Sequence, residues 1–318
     1  MRLIIAPDRE KTIDNIRKAA NEGNLNCDVE PGDANLNAEQ QQAVIDQYLH
    51  RGEKPLFGLH HFMARAMTDT ITLFSGAGTE IVGWEKLLDI KGGAIVTCNH
   101  FNPFDNIVPR RMVKLVGKGH LNIVSVPLNF THPGTLGYIV RNDNVIPIHC
   151  DHKYMRDHFE PALRQAFARR EWVLIYPEQS MWFNYRKPRP CKRGAYLYAA
   201  KCWVPVVSCF VEMIDEQDFQ EPYFHKVRCR LHVLDPIFPD SSLSEKENSI
   251  AMCARDYAQK VRCYEQCYGR QLDYAFNPDD IAGWQPSPDN ASLSDELKQI
   301  AKRYEAEKSF RYTPTKPI

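Results

Sequence analysis

The chain has 318 residues, of which 43% are hydrophobic and 25% charged, as in an ordinary globular protein. Lysine plus arginine and aspartate plus glutamate number 40 each, so no overall charge draws the chain to nucleic acid. This length suffices for one large domain with extensions or for two modest domains.

Ten cysteines are scattered along the sequence, and no two are separated by the two-residue gap typical of zinc sites. Cys98 and Cys209 lie inside apolar runs, where a thiol behaves as a small hydrophobic group. The apolar start of the chain is interrupted by Pro7 and is too short for the core of a signal peptide. The sequence therefore predicts free thiols in a reducing cytoplasm and no metal site.

Residues 1–78 are predicted to form a helical extension. One helix is expected from Asp8 to about Ala20, a second after an Asn37 cap, and a third over 55–74. The third places apolar residues at three- and four-residue steps: Leu56, Leu59, Met63, Met67, Ile71 and Phe74. Such a stripe is typical of packing on a core, which is the commoner case, or of docking on a bilayer surface.

Residues 79–240 alternate short β-rich runs with helical patterns. Strands are predicted at 80–83, 94–98, 122–126, 144–148, 172–176, 204–213 and 226–234, with helices at 103–117, 152–170 and 192–202. This alternation predicts an α/β fold whose mostly parallel or mixed central sheet is flanked by helices. Residues 241–318 are predicted to form a helical tail, with helices near 243–268 and 293–307.

The sharpest motif is Asn99-His100-Phe101-Asn102-Pro103-Phe104-Asp105, directly after the apolar run 94–98. Asn102 and Pro103 are a favourable cap and first-turn pair, so a helix is predicted to start there with Asp105 in its first turn. A neutral imidazole can take a proton from an alcohol while a carboxylate holds its other nitrogen. We therefore expect His100 to act as a general base that Asp105 orients.

Four blocks of the sequence, in order, resemble the glycerophospholipid acyltransferase family, which includes the 1-acylglycerol-3-phosphate acyltransferases. They are the NHxxxxD block at 99–105 with its lead-in at 83–98, an apolar strand at 137–148, Tyr176-Pro177-Glu178, and Val204-Pro205-Val206-Val207. The resemblance covers about residues 79–213. It implies acyl transfer to a hydroxyl, with His100 as base, Asp105 as its partner and Glu178 in the acceptor site.

The resemblance further implies an activated acyl co-substrate: acyl-CoA, an acylated acyl carrier protein, which would be a protein partner, or an acyl phosphate. No cofactor is expected. Asn99 and backbone amides of the loop are candidates to stabilise the oxyanion. The sequence departs from the family pattern at Met181 and at Cys150, where the family has arginines that serve the acceptor phosphate.

A basic segment at 186–193 offers replacements for those arginines. Its five cations, all predicted to bind substrate, are Arg186, Lys187, Arg189, Lys192 and Arg193. Arginine can hold a phosphate through two parallel hydrogen bonds, and lysine acts as a point charge. The alternative is a solvated basic loop that faces anionic lipid headgroups.

Three other features have competing interpretations. The cluster His149, Asp151, His152, Asp157 and His158 has the residue types of a metal site but is more typical of an exposed junction. Cys98 could share a face with His100 as a nucleophile, although its apolar surroundings favour an inert thiol. The run 182–185, Trp-Phe-Asn-Tyr, is expected at a membrane interface or along an acyl groove.

The predicted function is transfer of a fatty acyl group to a lysophospholipid such as 1-acylglycerol 3-phosphate. The enzyme is expected to be peripheral on the inner face of the membrane and to bind no nucleic acid. Two alternatives are an acyltransferase with a non-phosphate acceptor, such as an aminolipid or a sugar, and a catalytically silent lipid-binding scaffold.

Overall fold

The computed structural model describes residues 9–31, 36–221 and 223–285. Its centre is a seven-stranded sheet with the order β1-β7-β6-β2-β5-β3-β4. The strands are β1 Glu80–Val82, β2 Ala94–Thr97, β3 Leu121–Ser125, β4 Val145–Pro147, β5 Trp172–Leu174, β6 Val206–Glu221 and β7 Phe224–Val233. All seven predicted strands are present.

The sheet is mixed. β2 pairs in parallel with β5 and β6, and β3 pairs in parallel with β4 and β5. The long hairpin β6–β7 is antiparallel, and β1 runs parallel to β7. Every residue of β2 and β5 is buried, as expected for parallel strands covered on both faces. Because helices flank this mixed sheet, the predicted α/β fold class is confirmed.

Nine α-helices occur in the described residues, besides short 3-10 helices. They are α1 Arg9–Asn21, α2 Ala38–Leu49, α3 Phe57–Ser75, α4 Ile107–Leu115, α5 Gly134–Asn142, α6 His152–Tyr154, α7 Glu160–Ala168, α8 Gly194–Cys202 and α9 Glu245–Tyr268. A π-helical turn, Met155–Phe159, joins α6 to α7 inside the region predicted as one helix. The Asn37 cap is confirmed by a reciprocal capping box with Gln40. The predicted helix at 293–307 lies outside the described residues.

The family resemblance places an apolar strand at 137–148, but the structure has helix α5 there up to Asn142 and strand β4 only at Val145–Pro147. The sequence does not predict α5 because glycines interrupt its pattern. Gly137 is needed there: a Cβ atom at this position would lie 1.6 Å from the carbonyl oxygen of His132. Only a residue without a side chain permits this approach. A short helix that contains glycine has a low intrinsic helix propensity, so contacts with the surrounding chain determine that this segment is helical.

The two terminal segments pack on the sheet region. Ile13 and Ile16 of α1 are fully buried in a cluster with Trp182, Phe183 and Ile281. The prediction that the 182–185 run lies at an interface or along an acyl groove is therefore wrong, because these aromatic rings form the core beneath α1. Helix α9 packs against α8 and β6. The predicted division at 78 and 240 stays a prediction.

Helix α3 contacts its neighbours through its polar and small side chains. Its buried residues are Ala64, Thr68 and Thr72. The Thr68 hydroxyl donates a hydrogen bond to Asp143, which also pairs with Arg110 of α4.

The predicted apolar stripe of α3 lies outside, with Met67 and Ile71 half-buried and the other members exposed. The expected core packing of this stripe is therefore wrong. We call the exposed part, with its apolar neighbours, the apolar face of α3: Leu56, Leu59, Phe62, Met63, Leu73 and Phe74. Within the described ranges, no helix combines the length and the apolarity needed to cross a bilayer.

Candidate active site

His100 and Asp105 lie in the loop that connects the carboxyl end of β2 to α4. The Nδ1 atom of His100 is 2.7 Å from Oδ2 of Asp105. The same oxygen accepts hydrogen bonds from the backbone N–H groups of Phe101 and Asn102. The side chain of Asp105 is buried and that of His100 is 22% exposed. The loop thus fixes the carboxylate and presents the imidazole to substrate.

The helix after the motif begins later than predicted. It starts at Ile107 rather than at Pro103 after an Asn102 cap, and Asp105 lies in the preceding turns. The carboxylate of Asp105 and the amide oxygen of Asn102, which accepts from the N–H of Phe104, stabilise those turns. Such side-chain bonds to the backbone compete with helix formation.

Tyr176 is a site residue whose role the sequence did not reveal. It follows β5, the parallel neighbour of β2, so the two loops meet at the carboxyl edge of the sheet. Its hydroxyl donates a 2.5 Å hydrogen bond to Oδ1 of Asp105. Its ring stacks on the His100 imidazole at a centroid distance of 4.0 Å. The available signal was its position at the start of the third family-like block.

This arrangement can hold one tautomer of the histidine. Burial, and then the charge of Asp105, raise the pKa of Tyr176 well above its ordinary value, so the phenol stays protonated and donates. Both oxygens of the Asp105 carboxylate receive hydrogen bonds, so the carboxylate acts only as an acceptor. The Nδ1 atom of a neutral His100 imidazole must therefore carry the proton and donate it in a hydrogen bond to Asp105. The Nε2 atom of His100 is then the acceptor for a substrate proton.

Asn99 has a structural role at this edge. Its amide donates to the carbonyl oxygen of Val211, and its Oδ1 accepts from the N–H of the same residue. The side chain is buried and ties the end of β2 to β6. This placement contradicts the predicted use of the Asn99 side chain in substrate binding or as an oxyanion donor.

Glu178 lies beneath the histidine loop. Its carboxylate accepts hydrogen bonds from the backbone N–H of His100 at 3.2 Å and from the N–H and the guanidinium of Arg189, both at 2.9 Å. Glu178 and Arg189 are both buried. The pair therefore supports the backbone of the histidine loop. These internal contacts differ from the substrate binding predicted for Glu178 and Arg189.

The basic segment 186–193 divides into buried and exposed cations. Arg186 pairs with Asp215 at 2.6 Å, and Lys187 with the buried Asp280 at 2.8 Å. Both cations are buried and connect the segment to neighbouring elements, an arrangement that does not fit their predicted phosphate contacts. Lys192 and Arg193 are exposed, immediately before α8. The N–H of Lys192 donates to the carbonyl of Pro177.

A buried network underlies the loop. Asp256 of α9 accepts hydrogen bonds from Thr97 of β2, from Tyr196 of α8, and from Lys260 at 2.8 Å. Asp256 and Lys260 are almost completely buried. Because Thr97 lies three residues before His100, this network anchors α8 and α9 to the strand that carries the site.

Two alternative chemistries receive no support from the geometry. Cys98 is buried, and burial raises the pKa of its thiol well above the ordinary value, which keeps it protonated and inert. In the cluster at 149–158, His149 accepts a hydrogen bond from the Asp151 N–H, and Asp151 caps α6. These contacts fit a capped junction.

Comparison with known proteins gives a family match in this region. A family model described as Acyltransferase matches residues 79–212, which include the histidine loop, Tyr176 and most of the sheet. These residues form an acyltransferase domain. At the level of an acyltransferase, the match over these residues confirms the predicted family and the predicted enzyme class.

The acyltransferase domain also has a distant likeness among solved structures. The crystal structure of the 1-acyl-sn-glycerophosphate (LPA) acyltransferase PlsC from Thermotoga maritima aligns at a TM-score of 0.47 and 15% identity. The alignment covers 74% of this chain and 99% of that one. A likeness this remote assigns no substrate. No curated protein sequence matches the chain.

Proposed function

We propose that the protein transfers a fatty acyl group from an activated donor to a hydroxyl of a lysophospholipid at a membrane surface. The observation that carries this proposal is the His100–Asp105 pair, held at 2.7 Å with the imidazole partly exposed. Within an acyltransferase domain, this is the arrangement a base needs to deprotonate an alcohol.

The reaction has a simple proton balance with a thioester donor. Nε2 of His100 takes the proton of the acceptor hydroxyl as its oxygen attacks the acyl carbonyl carbon. The tetrahedral intermediate collapses, the carbon–sulfur bond breaks, and the imidazolium returns its proton to the leaving thiolate. Asp105 stabilises the imidazolium in between. Acyl-CoA and acylated carrier protein have the same thioester, and an acyl phosphate would lose phosphate instead.

Contact with the membrane is proposed through the apolar face of α3. Leu73 and Phe74 are 67% and 75% exposed at the end of this helix. Gly76, two residues after Phe74, lies against Ile107 and Arg111 of α4. Helix α4 directly follows the loop that carries His100. Docking of this face on the inner leaflet would thus bring the loop close to lipid acceptors.

A phosphate-bearing acceptor is proposed to contact Lys192 and Arg193. Among the described cations of the basic segment, these two are exposed, whereas Arg186, Lys187 and Arg189 have internal acidic partners. Because three of the five cations predicted to bind phosphate have internal acidic partners, a second candidate is also supported: an acyltransferase whose acceptor is uncharged or zwitterionic.

An acceptor panel distinguishes these candidates. Labelled acyl-CoA and acylated carrier protein are offered with lysophosphatidate, lysophosphatidylcholine, an aminolipid and monoacylglycerol. We expect KM for lysophosphatidate to be at least about tenfold higher in the K192A/R193A protein than in the wild type. A tenfold increase corresponds to the loss of a single charged contact. The exposed-lysine control K246A should leave KM unchanged. Preference of the wild type for monoacylglycerol or aminolipid would select the second candidate, and no turnover with any pair would select the silent scaffold.

A further inference from the structure

Three side chains of metal-ligating types meet where α9 packs on β6 and β7, beyond the Asp256–Lys260 pair on the same helix. His232 belongs to β7, and Cys263 and Cys267 lie one turn apart on α9. The two Sγ atoms are 3.9 Å apart, and Sγ of Cys267 is 3.4 Å from Nε2 of His232. All three ligand atoms lie within 4.8 Å of one another.

These separations agree with tetrahedral coordination of a zinc-class ion. Zinc–sulfur bonds of about 2.3 Å and zinc–nitrogen bonds of about 2.0–2.1 Å place two sulfurs about 3.8 Å apart and a sulfur about 3.6 Å from a nitrogen. The Cys263–Cys267 and Cys267–His232 distances deviate from these values by a few tenths of an ångström, and Cys263 lies within 4.8 Å of His232. A small adjustment of side-chain torsions would complete the geometry.

A fourth ligand is within reach. Oε2 of Glu212 on β6 lies 2.8 Å from Nε2 of His232 and accepts a second hydrogen bond from Arg230 at 3.2 Å. Carboxylate oxygen is an established zinc ligand. When the imidazole nitrogen binds a metal, this carboxylate can turn from the nitrogen to the ion while Arg230 keeps it oriented.

We propose that Cys263, Cys267, His232 and Glu212 bind a thiophilic divalent cation of the zinc class. Binding releases the two thiol protons to solvent, and the proton that Nε2 of His232 shares with Glu212 moves to Nδ1 or to solvent so that Nε2 can bind the ion. The bound ion would join α9 to the β6–β7 hairpin. Glu212 follows Val211, whose backbone holds Asn99 beside the catalytic histidine. The ion would therefore brace the strand that supports the active-site loop, and would take no part in the chemistry.

The sequence alone does not reveal this site. The cysteines have a three-residue gap instead of the two-residue gap of zinc knuckles. His232 is separated from them in sequence by the loop between β7 and α9 and by most of α9. The long-range packing of α9 on β6 brings them together.

Titration of the reduced, chelator-treated full chain with Co²⁺ tests the proposal. We expect one equivalent to bind with tetrahedral ligand-field bands and a thiolate charge-transfer band, and Zn²⁺ to displace it. The melting temperature should rise with either ion. Variants C267S and H232Q should lose the charge-transfer band or most of its intensity and show no rise in melting temperature.

Cys253, half-buried on the same helix, supplies the matched control C253S, which should bind Co²⁺ as the wild type does. Thermal melting in EDTA shows whether each variant is folded. Because two different metal-binding residues are replaced, the test remains decisive if one of the two variants fails to fold. The proposal is overturned if the wild type binds no stoichiometric Co²⁺, or if C267S and H232Q keep the full thiolate band. It is also overturned if the two cysteines of the protein before reduction are found to form a disulfide.

Discussion

At the scale of single residues, the active site depends on how Asp105 shares its charge. The carboxylate receives hydrogen bonds from His100 and from two backbone N–H groups on one oxygen, and from Tyr176 on the other. The tyrosine therefore moderates how strongly Asp105 holds the imidazolium form of the base. Its stacked ring also limits the orientations that His100 can adopt.

Replacement of Tyr176 by phenylalanine keeps the stacked ring and removes the hydrogen bond. Loss of a bond to a charged group should lower the free energy of unfolding by about 1.5–3 kcal/mol. Because the unshared charge of Asp105 would favour the imidazolium, the acid limb of the kcat/KM profile should move to higher pH. Chemical denaturation and a pH–rate profile measure the two effects.

Tyr185 offers the matched control for that experiment. Its hydroxyl is buried without a hydrogen-bond partner among the described residues, so Y185F removes an unsatisfied polar group. This variant should not lower the free energy of unfolding and should leave the pH–rate profile unchanged. An acid limb that stays in place in Y176F would show that the tyrosine has only a structural role.

The sequence predicts the reacting pair but not its support. Spacing and residue type single out His100 and Asp105 as candidates, and the ordered blocks that resemble the acyltransferase family strengthen that choice. The partners of Arg186 and Lys187 are Asp215 and Asp280, which lie far along the chain, so a local charge count could not tell buried ion pairs from a phosphate site. Asn99 is a similar case, because its partner Val211 belongs to a strand more than a hundred residues later.

At the scale of elements, α3 shows that periodicity identifies a helix without identifying its buried face. The apolar stripe was correctly located, yet the helix packs through Ala64, Thr68 and Thr72. Thr68 reaches the buried Asp143, and Lys114 pairs with Asp69 at 2.7 Å. Polar contacts with α4 and α5 therefore fix the helix and leave the apolar face of α3 available for a bilayer.

Flotation with phospholipid vesicles containing anionic lipid tests this use of α3. Burying a large apolar side chain contributes about 1.5–3 kcal/mol, so the L73E/F74E protein should lose at least about tenfold in vesicle partitioning. Phe238, 62% exposed outside α3, provides the control F238E, which should float as the wild type does. Equal flotation of all three proteins would contradict membrane docking through α3.

At the scale of the whole molecule, α9 holds the acyltransferase domain together from outside the matched segment. Lys260 and Asp256 are 1% and 0% exposed, and the carboxylate also accepts from Thr97 and Tyr196. Alternation in the sequence predicts the strands and most helices. It does not predict that a helix after residue 240 completes the network under β2, since that depends on contacts distant in sequence.

Removal of the Lys260 charge should therefore destabilise the whole domain. We expect K260M to lower the free energy of unfolding by about 3–5 kcal/mol, because Asp256 would remain buried without its cation. The double variant K260M/D256N removes that charge and should recover part of the loss. Urea denaturation measures both, and a change below about 1 kcal/mol in K260M would refute the anchoring role of the pair.

The most direct test of the account is acyl transfer by wild-type and H100A protein, with H152A, which alters an exposed histidine, as control. All three should melt alike. With the best donor and acceptor of the panel, H100A should lose about 10²–10⁴-fold in kcat, the usual contribution of a general base, while H152A keeps wild-type activity. Transfer by folded H100A at the wild-type rate would contradict the assignment of His100 as the base.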